Sequence, residues 1–366
     1  MLVARRNLSK DKMRLGLSIV GVGLAIMLIL LLNGFLAGMN RQITAYLDRS
    51  PGEILVSQKG VSNLLGATSI LPLGVFAEVE EIEGVGQIIP ILSQFIILDL
   101  HDKKQPVYLV GYIPELGGGP WQLSAGREPQ GVDEVVFDRV LANRHKIQIG
   151  DRLNITGADY TVVGLSEGTT SWMTSFIFLH KKAAEELMRS PQVTSFLLVK
   201  THEGAEATNV LQKLTELDGV EAFFKSTVSE NDLRLFAEVF STPLRLIVAI
   251  AFFVGSLVVG LVIYTATIER QREYGVLKAI GARNGVLYQV VVIQALVAAV
   301  TGALLGLLLV YSASWGIMSL RPQFLIVLDP MDALWALVAG LGMALTAAIF
   351  PVRVITSLAP AEVFSK

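Results

Sequence analysis

Residues Ala4–Leu36 read ARRNLSKDKMRLGLSIVGVGLAIMLILLLNGFL. Five of the first eleven are Arg or Lys, whereas the 22 from Leu15 to Leu36 carry no charge. A bilayer core about 30 Å thick is crossed by about 20 predominantly apolar helical residues, so this run is long enough to span. A basic stretch before an apolar run is also how a cleaved secretory signal begins, and cleavage would leave three spans. The run is longer than a signal's apolar region and no A-x-A site follows it, so we read it as a retained anchor.

Three further runs, Leu246–Ile268, Val286–Tyr311 and Ala333 to about Val352, are similarly rich in Leu, Val, Ile, Ala and Gly. The 366 residues are 52% hydrophobic and 17% charged, with a mean hydropathy of +0.56, which favours a membrane protein. Arg5, Arg6, Lys10, Lys12 and Arg14 precede the first run, and Arg270, Arg272, Lys278 and Arg283 separate the second from the third. Only Arg321 lies between the third and fourth. Because basic flanks stay on the cytoplasmic side, both termini are expected inside. The chain then divides into a cytoplasmic amphipathic segment 1–14, spans at 15–37, 243–268, 286–312 and 333–352, an outside domain 38–242, a cytoplasmic connector 269–285, a short outside loop 313–332 and a cytoplasmic tail 353–366.

Charge follows the same division. Asn40–Thr242 holds 17 Lys/Arg against 26 Asp/Glu, and the remainder holds 13 against 6. The apolar runs contain no charge that would serve a proton relay or an ion filter. Gly34 with Gly38, and Gly302 with Gly306, have the spacing that lets helix backbones approach, although glycine is common in any membrane helix.

Between Pro51 and Phe224 short β-rich runs (EILVS, SQFIILDL, PVYLVGY, EVVFD, YTVVGL, SFIFL, SFLLVK) alternate with helix-like Leu73–Ile82, Lys181–Arg189 and Ala205–Leu217. That interleaving predicts a mixed α+β domain. VEEIEGVGQIIP from Val79 and LQKLTELDGVEAFFK from Leu211 both close an amphipathic helix with acidic-Gly-Val before a strand. Gly84 and Gly219 are expected as helix C-caps, and two βαβ-type halves flanking a mostly β insert are expected to follow.

Catalytic chemistry is hard to place. No cysteine is present, which excludes thiolate nucleophiles and Cys-ligated metals. Gly164-Leu-Ser166-Glu-Gly168 has the letters of a nucleophile elbow, but the TTSWMTSFIF that follows is strand-like where that motif needs a helix. His101, His145, His180 and His202 lack metal-ligand spacing and are read as surface residues. Gly21-Val-Gly23 lies inside the first span, without the strand of a dinucleotide site, and no G-x-x-x-x-G-K-[ST] occurs in these residues. No metal, catalytic residue or nucleic-acid partner is expected, and substrate-binding residues are not evident.

The connector TIERQREYGVLKAIGARNG (Thr267–Gly285) places four basic and two acidic residues between two spans. Gly275 interrupts the run of helical signals, after which Val276, Leu277 and Ile280 share one short apolar face closed by Gly281. By pattern alone, a docking helix and a plain solvated turn fit equally.

IERQREYGVLKAIGARNGVLYQVVVIQAL resembles the hallmark of FtsX-like, or MacB-like, ABC transporter permeases. ARRNLSKDKMRLGLSIVGVGLAI and FPVRVITSLAPAEVFSK resemble the family's beginning and end, and GREPQGVDEVVFDRVLA with IQIGDRLNITGADYTVVGL resembles its periplasmic core domain. The resemblance implies four transmembrane helices with a mixed α+β extracytoplasmic domain in a bacterial inner membrane. It implies that Glu269, Arg270 and Glu273 precede a coupling helix, that Gly275 is its bend, that Leu277, Lys278, Ala279 and Ile280 contact the partner, with Val276 added by the apolar face, and that Gly281 ends it. The partner implied is a separate ABC ATPase that carries the ATP and Mg. The resemblance also implies a second copy or a paralogous permease as partner, and allows a membrane-fusion or extracytoplasmic protein.

The expected function is export or extraction of a substrate (hemin, lipoprotein, peptide, lipid or drug) by mechanotransmission, with efflux as its outcome. The alternative with the same wiring is an FtsX-type signalling permease that regulates an extracytoplasmic partner such as a cell-wall hydrolase. A stand-alone membrane-anchored binding protein would leave the connector without a role.

Overall fold

The computed structural model describes residues 12–100, 102–171, 173–269, 272, 276, 280 and 284–357. They form two compact units, one of described residues within 38–239 with 322–325, the other of described residues within 12–37, 240–321 and 326–357. The first helix, α1 (Lys12–Arg49), has 38 residues, which at 1.5 Å each gives about 57 Å and exceeds the bilayer core. Nothing before Ser50-Pro51-Gly52 stops it. Polar residues beyond the apolar run continue the helix, and the Thr44 hydroxyl bonds Asp48 one turn on at 2.6 Å. Pro51 disfavours helix in the residue before it, and Gly52 turns the chain at φ 81°.

The outer unit is built on a ten-stranded sheet. Its first half contains β1 (Ile54–Gln58), α2 (Val75–Glu80), β2 (Val85–Leu100), β3 (Lys103–Tyr112), β4 (Leu123–Gly126), β5 (Glu134–Asp138) and α3 (Arg139–His145). Next come β6 (Arg152–Ile155), β7 (Ala158–Ser166), β8 (Ser175–His180), α4 (Lys181–Leu187), β9 (Phe196–Thr201), α5 (Ala207–Thr215), β10 (Val220–Phe224) and α6 (Lys225–Phe236). The strand order is β10-β1-β9-β2-β3-β8-β5-β7-β4, with β6 on β7.

At one end, β1 is antiparallel to both β10 and β9, and β9 is antiparallel to β2. Consequently β1-α2-β2 and β9-α5-β10 are two split β-α-β units, each with a strand of the other inserted between its own. Inward residues of α2 (Val75, Val79) and α5 (Val210, Leu214) cover one sheet face over Ile54, Val56, Leu197 and Val199. Tyr46 and Leu47 of α1 and Val228 of α6 join the core on the other, over Leu55, Ile89 and Leu198.

The helix caps differ from expectation. The C-caps of α2 and α5 are Glu81 and Glu216, both right-handed. Gly84 and Gly219 stand later, at φ 97° and 79°, directly before β2 and β10. A side chain at Gly84 would also meet Val210, with its Cβ 2.8 Å from the valine Cγ2. The glycines thus serve the turn into the strand and not the helix end.

Strand β2 is long enough to serve two sheets of contacts. Val85–Ile91 pairs with β9, and Leu92–Leu100 pairs with β3 and carries the chain into the insert. The insert has a core of its own, with Leu109, Val135, Phe137, Val162, Ile177 and Leu179 among its buried residues. At the start of β5 the Glu134 carboxylate accepts from both terminal guanidinium nitrogens of Arg127 and from the amides of Gln130 and Gly131 in the loop before it. Charge-assisted bidentate pairing is the strong kind of hydrogen bond, and it holds the Glu134 carboxyl down to about 2.

The remaining helices are α7 (Thr242–Glu269), α8 (Asn284–Leu320) and α9 (Pro330–Ser357). Together with α1 they account for four stretches long and apolar enough to cross a membrane. A π turn at Ala237–Ser241 joins α6 to α7, where Pro243 has no N–H to return to the carbonyl four residues earlier. Helix α8 runs to Leu320 and takes up residues that polarity assigns to a 313–332 loop. Ser312, Ser314 and Ser319 lie within this helix with each hydroxyl satisfied by a carbonyl of its own helix, at 2.9–3.0 Å.

The core of the membrane unit is made of small and branched residues, among them Val22, Ala25, Ile26, Ala295, Ala299, Ala303, Ala344 and Ala347. Gly302 and Gly306 let α8 close on α1. A Cβ at Gly302 would lie 2.6 Å from Val22 Cβ, and one at Gly306 would lie 2.9 Å from the Gly23 oxygen. Gly34 and Gly38 instead face the α8–α9 connector, where their Cβ atoms would fall 2.9 Å from the Val327 oxygen and 1.8 Å from the Leu325 oxygen. One of the two small-residue pairs thus seats a helix, and the other seats the non-helical chain between α8 and α9.

Candidate functional site

Helix α7 runs to Glu269. Eleven residues later Ile280 donates its N–H to the Val276 oxygen at 3.1 Å, the four-residue spacing of an α-helical turn. Ile280 is 79% exposed and Val276 is 42% exposed. An apolar side chain that reaches water from a helical turn is available for burial against a second protein. Glu269 is exposed as well. Arg270, Glu273, Gly275, Leu277, Lys278, Ala279 and Gly281 lie outside the described residues, so the site is anchored by Glu269, Val276 and Ile280.

Other sequence candidates fall into structural roles. Ser166 is fully buried at the end of β7. Its hydroxyl donates to the Phe137 oxygen at 3.2 Å and shares a 2.6 Å bond with the Thr169 hydroxyl. Thr169 in turn donates to Asp138, which caps α3 by accepting from the Leu141 amide at 2.9 Å. Burial pushes the Asp138 carboxyl up. This closed polar knot leaves Ser166 unreachable by a substrate. His145 is buried at 7% exposure, against its reading as a surface residue, because it shares an inward α3 face with Leu141 and Ala142. His180 caps α4, its Nδ1 accepting from the Lys182 amide, His202 is exposed, and His101 is outside the described residues. Among the described residues no cluster of His, Asp or Glu is arranged to hold a metal.

Within the membrane unit an apolar groove of about 500 Å³ runs between α7 and α9, lined by Phe253, Leu257, Gly260, Leu261, Thr346 and Ala347. Periodicity does not reveal it, since α7 is apolar on every side.

Sequence reasoning passed over the joint between α1 and α6. The Tyr46 hydroxyl donates to the buried Gly118 oxygen at 2.7 Å, and its ring stacks on Phe176 at 5.7 Å. The Arg49 guanidinium sits over Trp121, 5.6 Å from the ring centroid. Lys225, first residue of α6, sends its Nζ to the oxygens of Leu47 and Ser50 at 2.9 and 2.6 Å. These partners lie up to 178 residues apart in sequence, and the only local signal is a lone lysine after the apolar strand VEAFF.

Comparison with known proteins gives matches along the chain. Residues 15–217 match the MacB-like periplasmic core domain, and residues 245–360 match the FtsX-like permease C-terminal region. An uncharacterized ABC transporter permease of Mycobacterium tuberculosis is 26% identical over 369 residues, covering 100% of this chain and 99% of the relative. The macrolide export ATP-binding/permease protein MacB of Sodalis glossinidius is 27% identical over 225 residues, covering 58% of this chain and 33% of that protein. Among solved structures, the periplasmic region of MacB from Actinobacillus actinomycetemcomitans aligns with a TM-score of 0.39 at 14% identity, covering 49% of this chain and 92% of that one.

Proposed function

Because the chain belongs to the ABC transporter permease family, with a MacB-like periplasmic core domain and an FtsX-like permease C-terminal region, we propose that it is the subunit through which a separate ATPase moves an extracytoplasmic domain. The observation that supports this reading is the helical turn after α7, at which Val276 is 42% and Ile280 79% exposed. The turn lies in the connector that carries Arg270, Arg272, Lys278 and Arg283, and so falls on the cytoplasmic side by the charge rule.

With both termini inside, ATP binding closes the ATPase, and the connector shifts with it. Residues 269–281 are the contact, ATP and Mg are held by the ATPase, and a homodimer or a pair with a paralogous permease supplies enough helices for two ATPase chains. The motion passes by mechanotransmission to the outer domain, which extracts or exports a hemin, lipoprotein, peptide, lipid or drug in a bacterial inner membrane. Where the outer domain acts on a cell-wall hydrolase instead, the same contact serves signalling.

The test uses the absence of cysteine. Ile280→Cys is expected to cross-link to a cysteine placed on the groove of the cognate ATPase, whereas Lys182→Cys in the outer unit is not. The chain alone is expected to hydrolyse no ATP, and the complex is expected to do so. Equal cross-linking from both positions, or hydrolysis by the homogeneous chain, overturns the reading.

A further inference from the structure

We propose that Lys225 is a positioning residue that fastens the end of α1 to the first turn of α6, so that the two helices leading out of the outer unit are displaced as one piece. The proposal rests on the mechanical reading above and assigns one side chain to it. The last carbonyls of a helix have no intrahelical N–H, and they form the negative end of its dipole. Lys225 meets that end of α1 with a cation, its Nζ 2.9 Å from the Leu47 oxygen and 2.6 Å from the Ser50 oxygen. Its own N–H donates to the Glu53 oxygen at 2.9 Å. One residue therefore binds the end of α1 through its side chain and the approach to β1 through its main chain.

Burial is non-directional, and the directional bond of Tyr46 ties α1 to Gly118 and not to α6, so the bonds from Lys225 are what fix α1 against α6. Hydrogen bonds weaken steeply away from their preferred geometry, so the two bonds from Nζ set a register. Helix α6 is fastened again two turns later. Asn231 donates to the Ser62 oxygen at 3.0 Å, and the Asp232 carboxylate accepts from the Leu64 and Leu65 amides at 3.3 and 3.2 Å. The helix is thus a fixed bar of the outer unit, and Lys225 is where α1 is joined to it.

The absence of cysteine allows spin labels at Arg41→Cys and Glu230→Cys, both exposed, in the complex with its cognate ATPase in nanodiscs. A second pair, Lys182→Cys with Leu320→Cys, reports movement of the outer unit. In the otherwise native chain the second distance is expected to change between nucleotide-free and vanadate-trapped states while the first stays constant. In Lys225→Met the first distance is expected to become nucleotide-dependent by more than its native width, with basal ATP hydrolysis unchanged. Lys225→Arg is expected to restore the constant distance. A first distance that stays constant in Lys225→Met, while the second still moves, overturns the clamp alone. If the second distance does not move in the native chain, the mechanical reading falls and the clamp with it. Should Lys225→Met fail to insert, Lys225→Gln takes its place with the same two outcomes.

Discussion

Replacing Ile280 by aspartate separates the apolar contact proposed for the ATPase from the stability of the chain. At 79% exposure the side chain packs on little in the isolated turn, so the substitution leaves folding and insertion intact. Full burial of such a side chain contributes about 1.5–3 kcal/mol. Covering the 79% now exposed is therefore worth about 1.2–2.4 kcal/mol, or about 7- to 50-fold in affinity. A carboxylate taken into the same groove adds a desolvation cost, so Ile280→Asp is expected to weaken association at least about tenfold. Val276→Asp introduces the same carboxylate where only 42% of the residue remains to be covered. The two penalties cancel to first order, and Ile280→Asp should exceed Val276→Asp by about 2- to 6-fold. The assay is the equilibrium affinity of nanodisc-embedded chain for the purified cognate ATPase. Equal affinity for native chain and Ile280→Asp, at equal insertion, would refute the docking turn, and a larger effect at Val276 would refute the burial reasoning.

Three further outcomes are expected. A reporter inserted at Gly157, a hairpin position with open space around it, should behave as extracytoplasmic and one at Ile280 as cytoplasmic, and a Gly157 tag protected in intact spheroplasts would reverse the topology. Tyr46→Phe leaves the buried Gly118 oxygen without its 2.7 Å donor and should lower unfolding stability by about 1–3 kcal/mol, measured by denaturant titration in detergent, where an unchanged midpoint would remove that bond. Glu134 has its carboxyl held at about 2, below the unfolded value, so its contribution is present above about pH 4.5 and lost as pH falls through about 2. Glu134→Gln should therefore melt below the native chain at pH 7, with a difference that closes near pH 2, and a difference independent of pH would contradict the pairing with Arg127.

The four apolar helices are legible because length and charge alone distinguish them, and the outer strands are legible because alternation marks a half-buried surface. The acidic-Gly-Val repeat exposes the paired halves, since each half must turn from helix to strand at a positive φ. Helix ends are less visible. Ser312, Ser314 and Ser319 look like loop residues to a hydropathy reading, yet each is satisfied by its own helix. The burial of His145 depends on which α3 face meets the sheet, which no local pattern specifies. Of the connector, the composition shows its charge and its apolar spacing, whereas the exposure of Val276 and Ile280 needs coordinates. The Lys225 contact joins residues 175 and 178 positions apart, and a single sequence carries no record of such a meeting.

The seating of Gly34 and Gly38 against the α8–α9 connector bears on biogenesis. Helix α1 is made before α8, and the chain that covers these two glycines, Leu325–Val327, is made only after α8. The Val327 N–H then bonds the Gly34 oxygen at 3.0 Å, and the Gln42 amide reaches the Gln323 oxygen at 3.1 Å. Until that moment α1 offers the membrane a glycine-lined notch with an acceptor inside it. A chain truncated after α8 would carry that notch uncovered, so the seating of α1 is completed only when the α8–α9 connector has been made.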